Sequence, residues 1–508
     1  MSTDFTDFTD SIDENHERAR NRAAAETSFD AWIGGERAAA ADGRTFSPRD
    51  PAVDEPIAPV ARCTEADVDA AVAAAREGYE TEWADRTASE RSALIREWID
   101  VMRDHLDELA LLESLEVGKP LSFARADVEN GLNFFEYYAD VARAQGGDQV
   151  ATGSDSHAYV RREPYGVTGE ILPWNYPILL MGWKVGAALA AGNASVCKPA
   201  EQAPLAVVRA AQLSEGVLPD GVLNVVPGFG EEAGTALTAH ADVRKLSFTG
   251  SVPVGREVMR AAADRVTPVT LELGGKNPFV VFPDADLDAA ASTAAVGGFY
   301  NAGQSCDSAS RILVHEDVKE AFLDRYLDEV AAYEPGDPLA EETNLGPLCY
   351  ESHREKVTEY LELGREEGAT VLTGGARPDG EALADGYYLE PTVFDDVTPD
   401  MRIASEEVFG PVQFLVTFES YEEAIEIANG VEYGLTAGVA TSDLSLAHRA
   451  AADIQAGSVW VNQYFGTVPG TPFGGFKQSG IGRECAAEAL AEYTQSKAVN
   501  VALDVPSL

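Results

Sequence analysis

The chain has 508 residues and a formal net charge of −47, with 85 acidic and 38 basic side chains. This length exceeds what one hydrophobic core usually supports, so we expect two or three domains. The acidic charge excludes nucleic acid and anionic membranes as partners and indicates adaptation to concentrated salt, with an acidic but ordinary cytosolic enzyme as the alternative.

The five cysteines are widely spaced, with no CxxC pair. None of the seven histidines has a second ligand at helical spacing, so we expect neither a disulfide framework nor a catalytic metal. The chain contains no basic and apolar leader and no apolar run of about 18 residues. These features predict a reducing, cytoplasmic location without export or membrane insertion.

Residues 1–27 are acidic and poor in aliphatic side chains, which predicts a flexible tail outside the core. Apolar residues then recur three and four positions apart over 65–76 and 89–117. That period predicts amphipathic helices that cover a sheet.

Between residues 166 and 273, short apolar runs alternate with helical stretches, which predicts a parallel α/β sheet. The pattern restarts after residue 275 and predicts a second domain, while residues 160–163 read as an extended arm. A helix is expected over 184–191. The strand candidates are 166–172, 194–197, 222–226 and 243–248 in the first set, and 278–282, 311–314, 412–418, 437–440 and 458–461 in the second.

Cys306 follows a glycine turn at the end of the helical stretch 289–299, where backbone amides could face a reacting oxygen. A thiol there is a candidate nucleophile, although its ordinary pKa of about 8.5 requires activation. Taken alone, a buried structural cysteine is the alternative interpretation.

Glu272 ends an apolar strand and precedes two glycines that permit close backbone approach. Partial desolvation would raise its pKa toward the range of a general base that activates water. A strand-end pairing with Lys276 is the alternative. Asn175, between Pro173 and Pro177, could donate its amide to an oxyanion or simply form an Asx-turn.

Two further segments have the character of a nucleotide site. Lys198 and Glu201 follow a strand and could bracket ribose hydroxyls. The segment 248–255 runs from a strand through a glycine turn into a helix, whose amino end can hold a pyrophosphate. It departs from the GxGxxG pattern, and Gly228 with Gly230 is likewise a weak match.

These segments, in this order, resemble the aldehyde dehydrogenase superfamily, in its hydrolytic, non-acylating branch. The resemblance continues through residues 406–411, 472–477, 479–480 and 482–484, and so covers the chain from about residue 30 to its end. It implies an α/β fold in three parts and a homodimer or homotetramer. The parts are a Rossmann-like cofactor domain (28–142 and 165–274), an α/β catalytic domain (275–478) and a small β oligomerisation arm (143–164 and 490–508).

The resemblance also implies catalytic roles. Cys306 would form a thiohemiacetal and then a thioester with the aldehyde, while Asn175 and the backbone N–H of Cys306 hold the oxyanion. Glu272 would activate the hydrolytic water, which speaks against transfer of the acyl group to coenzyme A. Lys184 and Glu484 match positions that pass the proton outward.

The cofactor implied is NAD, with NADP as the alternative, because the Glu201 carboxylate would repel a 2'-phosphate. Lys198 and Glu201 would bind the adenine ribose. The residues implied for the rest of the cofactor site are Ile171, Trp174, Gly230, Phe248, Gly250, Ser251, Gly255, Glu407 and Phe409.

The substrate pocket implied by the resemblance is lined by Tyr176, Trp183, Tyr300 and Phe473. The succinate semialdehyde branch carries arginine at the positions of Trp183 and Tyr300, which disfavours succinate and 2-oxoglutarate semialdehydes here. An aromatic box could bind betaine aldehyde through cation–π attraction, but the same side chains suit ordinary aliphatic and aromatic aldehydes. His353 stands where many relatives carry glutamine near the cofactor, and we draw no consequence from it.

Overall fold

A computed structural model of the chain describes residue 8, residues 11–26 and residues 28–503. None of the helices in these ranges is long and apolar enough to cross a membrane. The helices are α1 (Ile12–Glu26), α2 (Glu65–Gly78), α3 (Ala88–Asp104), α4 (Leu106–Val117), α5 (Leu121–Val141), α6 (Pro177–Ala191), α7 (Leu205–Gln212), α8 (Thr235–Ala239), α9 (Val252–Ala263), α10 (Leu287–Phe299), α11 (Lys319–Val330), α12 (Glu351–Glu367), α13 (Arg402–Ser405), α14 (Tyr421–Asn429), α15 (Leu444–Asp453) and α16 (Ala487–Glu492).

The strands build three main sheets and three short two-stranded pairs within the described ranges. They are β1 (Ala31–Ile33), β2 (Glu36–Ala38), β3 (Thr45–Phe46), β4 (Arg49–Asp50), β5 (Glu55–Pro56), β6 (Val60–Ala61), β7 (Gln149–Val150), β8 (Ser156–Pro164), β9 (Val167–Ile171), β10 (Ala194–Lys198), β11 (Leu223–Val225), β12 (Lys245–Thr249), β13 (Val269–Glu272), β14 (Pro278–Val281), β15 (Arg311–His315), β16 (Thr370–Thr373), β17 (Thr392–Asp395), β18 (Val412–Phe418), β19 (Tyr433–Gly434), β20 (Thr436–Ala440), β21 (Ser458–Val461), β22 (Phe476–Lys477), β23 (Gly480–Ile481) and β24 (Thr494–Ala502).

The first large sheet has the order β2-β1-β11-β10-β9-β12-β13-β23. Its five central strands, β11, β10, β9, β12 and β13, all run parallel. This confirms the prediction of a parallel α/β sheet. The edge strands β1, β2 and β23 join antiparallel. The sequence did not indicate these edges, because each is a very short segment brought in from a distant part of the chain.

The second large sheet has the order β16-β17-β18-β15-β14-β20-β21, and only β16 at its edge runs antiparallel. All five predicted strands of the second set belong to it. Strands β16 and β17 were not predicted; each has only four residues, and β16 begins and ends with threonine and is at most partly buried.

The third sheet is antiparallel, with the order β24-β8-β7, and contains the predicted arm around residues 160–163. Strand β24 pairs with β8 from Thr494 opposite Pro164 to Ala502 opposite Ser156. Most side chains of β24 are exposed. A long, exposed strand at the edge of a sheet offers its unpaired backbone groups to another molecule.

Two predicted helices differ from the observed ones. The stretch 89–117 is split into α3 and α4 at His105, whose φ of −111° and ψ of 20° leave the helical region. The helix expected over 184–191 begins earlier, at Pro177, a residue favoured in the first helical turn. Because α6 is buried on every side, its sequence lacks the amphipathic period that would mark its start.

The prediction of a flexible tail over residues 1–27 is wrong for residues 12–26, which form α1. His16 of this helix is fully buried, with Nδ1 2.7 Å from Asp50 and Nε2 3.0 Å from Asp337. Arg20 adds an ion pair of 3.1 Å with Asp50. The helix is therefore held by charged contacts, which a search for aliphatic side chains does not detect. Residues 1–7, 9–10 and 27 lie outside the described residues.

Candidate active site

The loop that carries Cys306 leaves α10 through three residues with left-handed backbone conformation. Asn301, Ala302 and Gly303 have φ values of 50°, 54° and 69°. A side chain on Gly303 would place its Cβ 2.1 Å from the carbonyl oxygen of Gly410, so only glycine fits. The loop leaves Cys306 partly exposed, whereas the other four cysteines are buried.

Asn175 is held against this loop by two hydrogen bonds. Its side-chain amide donates to the carbonyl oxygen of Gln304 over 2.9 Å, and the amide of Asn301 donates to the carbonyl oxygen of Asn175 over 3.2 Å. Asn175 is buried. A side-chain amide carries two N–H groups, and the bond to Gln304 uses one of them, so the other can serve a substrate oxygen.

Glu272 ends strand β13, and both of its carboxylate oxygens are buried without a hydrogen-bond partner in the described part of the chain. Burial and, secondly, the charge of Glu484 raise the pKa of Glu272 well above its usual value, while Lys184 acts in the opposite direction. Such a carboxyl group can accept a proton near neutral pH.

Lys184 and Glu484 form a buried ion pair close to Glu272. The Lys184 Nζ atom donates to Glu484 Oε1 over 2.6 Å and to Ser247 Oγ over 3.0 Å. Lys184 comes from α6 and Glu484 from the segment that follows β23, so the pair joins two distant parts of the chain.

A cavity of about 430 Å³ lies beside the Cys306 thiol and Glu272. All four side chains predicted for the substrate pocket line it: Tyr176, Trp183, Tyr300 and Phe473. The sequence reasoning did not identify Asp127, Asp307, Tyr464 or Phe465, which also line it. Asp307 could have been noticed as an acidic neighbour of the candidate nucleophile, whereas the other three come from segments that no local pattern connects to the site.

A second cavity, of about 240 Å³, lies on the other side of Cys306. The predicted cofactor residues that line it are Trp174, Gly250, Ser251, Glu407 and Phe409. Glu407 accepts a hydrogen bond of 2.9 Å from the Gly275 backbone N–H. A Cβ on the neighbouring Gly274 would lie 2.3 Å from a Glu407 carboxylate oxygen, so the glycine makes room for this carboxylate.

The other predicted cofactor residues lie outside the lining of this cavity. Lys198 and Glu201 form an ion pair of 3.1 Å at the carboxyl end of β10. Gly230 begins a π-helical turn, and a Cβ on Gly234 of that turn would lie 3.9 Å from the Lys198 side chain. Ile171, Phe248 and Gly255 are buried and are also outside this lining.

His353, for which the sequence suggested no role, lines the second cavity. Its Nε2 atom lies 2.7 Å from the carbonyl oxygen of Phe409, and its ring lies 5.3 Å from that of Trp174. Burial and, secondly, the charge of Lys356 lower its pKa to about 3. The imidazole is therefore neutral at physiological pH and donates Nε2–H to Phe409, which adopts a left-handed φ of 66°.

Cys306 and Thr249 line both cavities, so the thiol stands where the two meet. Comparison of the chain with known protein families shows that the model of the aldehyde dehydrogenase family matches residues 38–499. The chain belongs to this family. It is 44% identical over 474 residues to an aldehyde dehydrogenase of Emericella nidulans, and the match covers 93% of this chain and 95% of that one. The protein is thus an oxidoreductase that acts on aldehydes.

Solved structures of family members have the same fold. The betaine aldehyde dehydrogenase of Staphylococcus aureus, in complex with NAD+, is 38% identical with a TM-score of 0.94, over 97% of this chain and 98% of that one. The P. syringae indole-3-acetaldehyde dehydrogenase, in complex with NAD+ and IAA, is 40% identical with a TM-score of 0.94, over 97% and 100%. The α/β aldehyde dehydrogenase fold expected from the motifs is confirmed.

Proposed function

We propose that this aldehyde dehydrogenase uses NAD to oxidise an aldehyde to the free carboxylic acid through a thioester on Cys306. The observation that carries the proposal is the position of Cys306 in the walls of both cavities. A substrate on one side and a cofactor on the other would then meet at the sulfur atom.

The residues divide the reaction among them. The Cys306 thiolate attacks the aldehyde carbon, and Asn175 with the Cys306 backbone N–H stabilises the oxyanion of the thiohemiacetal. NAD, when bound, supplies the hydride acceptor. Glu272 then takes a proton from the water that hydrolyses the thioester, and the Lys184–Glu484 pair, with its contact of 2.6 Å, passes that proton onward.

The chain's own groups fit NAD. The amino end of α9 at Ser251, beside Gly250, offers backbone N–H groups to a pyrophosphate. Gly230 would contribute from the turn whose Gly234 lies beside Lys198. Lys198 and Glu201 would hold the adenine ribose, and the Glu201 carboxylate would repel the 2'-phosphate of NADP. Ile171, Trp174, Glu407 and Phe409 would surround the nicotinamide end, with Phe248 and Gly255 packed behind. Both family structures described above contain NAD+.

The substrate cavity favours a neutral or positively charged aldehyde. Its lining contains aromatic and acidic side chains but no lysine, arginine or histidine among the described residues. A succinate or 2-oxoglutarate semialdehyde would bring a carboxylate that nothing in this wall neutralises. Betaine aldehyde and uncharged aliphatic or aromatic aldehydes therefore remain the candidates.

We further propose a salt-adapted cytoplasmic enzyme that assembles as a homodimer or homotetramer. The net charge of −47 supports the first part. The exposed strand β24, within the arm formed by residues 143–164 and 490–508, supports the second. The remaining boundaries, 28–142 with 165–274 for the cofactor domain and 275–478 for the catalytic domain, are part of the same proposal.

Replacement of the thiol tests the covalent route. We expect Cys306→Ser to lose NAD reduction by roughly a thousandfold or more, because a hydroxyl lacks the acidity of a thiol. Cys63→Ser, the same change at a buried cysteine outside both cavities, is the matched control. Turnover by Cys306→Ser at the rate of that control would overturn the mechanism.

A further inference from the structure

Asp307 carries an unbalanced negative charge in the substrate cavity. Its carboxylate accepts a hydrogen bond from Ser305 Oγ over 2.5 Å, and it forms no ion pair with any residue in the described ranges. The other acidic residue of the outer wall, Asp127, is already engaged. It lies 2.7 Å from the Lys119 Nζ atom and accepts a hydrogen bond of 2.9 Å from the Tyr300 hydroxyl.

This charge opposes the first step of the reaction. Burial and, secondly, the charge of the adjacent Asp307 raise the pKa of the Cys306 thiol, with smaller contributions from Glu272 and Glu407. Burial raises the pKa of Asp307 itself only to about 6, so the group is largely an anion at neutral pH. For an uncharged substrate, such a neighbour would only hinder formation of the thiolate.

A positively charged substrate changes that balance. Within the cavity, aromatic side chains surround the space in front of Cys306 and Asp307; they come from α6, from Tyr300 just after α10 and from the segment around residue 464. Aromatic faces attract cations, and a carboxylate in a partly buried site attracts them more strongly. A cation seated there would offset the field of Asp307 at the sulfur atom.

We propose that Asp307 makes this enzyme selective for aldehydes that carry an amino or quaternary ammonium group near the carbonyl, and that the bound cation promotes ionisation of Cys306. The thiol proton passes to solvent, to which Cys306 is partly exposed. The inference rests on the proposed covalent function and names the substrate class of the same site.

The decisive comparison uses two aldehydes of the same shape. Betaine aldehyde and 3,3-dimethylbutanal differ by exchange of a charged nitrogen for carbon. We expect wild-type kcat/KM to favour the cation roughly ten- to hundredfold, the effect of one charge-assisted contact. Asp307→Asn should bring the two values close together. Asp317→Asn removes the same charge from an exposed position and should leave the preference unchanged.

A second measurement follows the thiol itself. The pH dependence of Cys306 alkylation by iodoacetamide, read by mass spectrometry, can be assigned because the other cysteines are buried. Tetramethylammonium should lower the midpoint pH in the wild type, and Asp307→Asn should lower it without the cation. This measurement does not depend on turnover, so the midpoint pH can be determined even for a variant with reduced activity or stability.

The outcomes separate the two ideas. No turnover of any aldehyde by the wild type would overturn the proposed function. Turnover with equal kcat/KM for the matched aldehydes, or the same preference in wild type and Asp307→Asn, would overturn the role of Asp307 alone. A tetramethylammonium shift that survives in Asp307→Asn would do so as well.

Discussion

At the scale of single residues, the site depends on side chains whose charge is poorly compensated. Glu272 has no hydrogen-bond partner for either carboxylate oxygen in the described ranges, and burial raises its pKa. A solvated or ion-paired carboxylate would be more stable but too weak a base to activate water. The local cost in stability is thus tied to the proposed hydrolytic step.

Replacement of this base should separate the two halves of the reaction. In Glu272→Gln we expect a rapid burst of NADH and then steady-state turnover reduced by roughly a hundred- to ten-thousandfold, because the thioester forms but is not hydrolysed. Stopped-flow absorbance and intact mass would detect the accumulated acyl-enzyme. Glu359→Gln, on the exposed face of α12, serves as the reference. Loss of the burst together with the steady state would contradict this role.

At the scale of elements, α1 is joined to two separate segments by one histidine. His16 lies between Asp50 at the end of β4 and Asp337 in the loop after α11. Burial alone would lower its pKa, but the charge of Asp50 and the hydrogen bonds and charge of Asp337 together raise it from 6.5 to about 9. The protonated ring therefore links α1 to both segments.

The linkage makes a pH-dependent contribution to stability. Because the folded pKa lies above the unfolded one, the contribution is complete below pH 6.5 and is lost as pH rises to about 9. Its size is about 3 kcal/mol at most, from the difference between the two pKa values. The free energy of urea unfolding of the wild type should fall as the pH rises across this interval. His16→Gln should not show that fall. His448→Gln, at an exposed position, should behave as wild type, and an identical pH dependence in His16→Gln would refute the linkage.

At the scale of the whole molecule, the dominant feature is charge. With 85 acidic and 38 basic side chains, the surface repels itself at low ionic strength. Many arginines form exposed ion pairs, such as Arg325 with Asp288, which add little stability each. Screening by salt should therefore stabilise the fold more than it weakens these pairs.

The expected result is a higher unfolding temperature in molar potassium chloride than in 0.1 M salt, because the screening length falls from about 10 Å to about 3 Å between 0.1 and 1 M. Differential scanning fluorimetry over a salt series measures it. A series with the uncharged osmolyte sucrose would separate screening from general exclusion effects. Greater stability at low salt would refute the proposed salt adaptation.

Several features of this protein could be predicted from the sequence alone because they are local. Cys306 follows Gly303, which stands in a tight turn where only glycine fits, and Glu272 ends an apolar strand. Strands β18 and β21 were predicted to the residue, since each is a short, mainly apolar run in a parallel sheet. The order of these motifs was enough to identify the family.

Other features were decided only by the tertiary structure, because they join segments that are distant in the chain. The cavity wall combines Asp127 of α5 with Tyr464 and Phe465, and no period or spacing relates them. Helix α1 is held by buried ion pairs together with two small apolar side chains, Ala19 and Ala23, so its composition resembled that of a flexible tail. Asp307 was visible beside Cys306 from the start. Its unbalanced charge became apparent only once folding had placed Lys119 against Asp127 and no cation against Asp307 in the described residues.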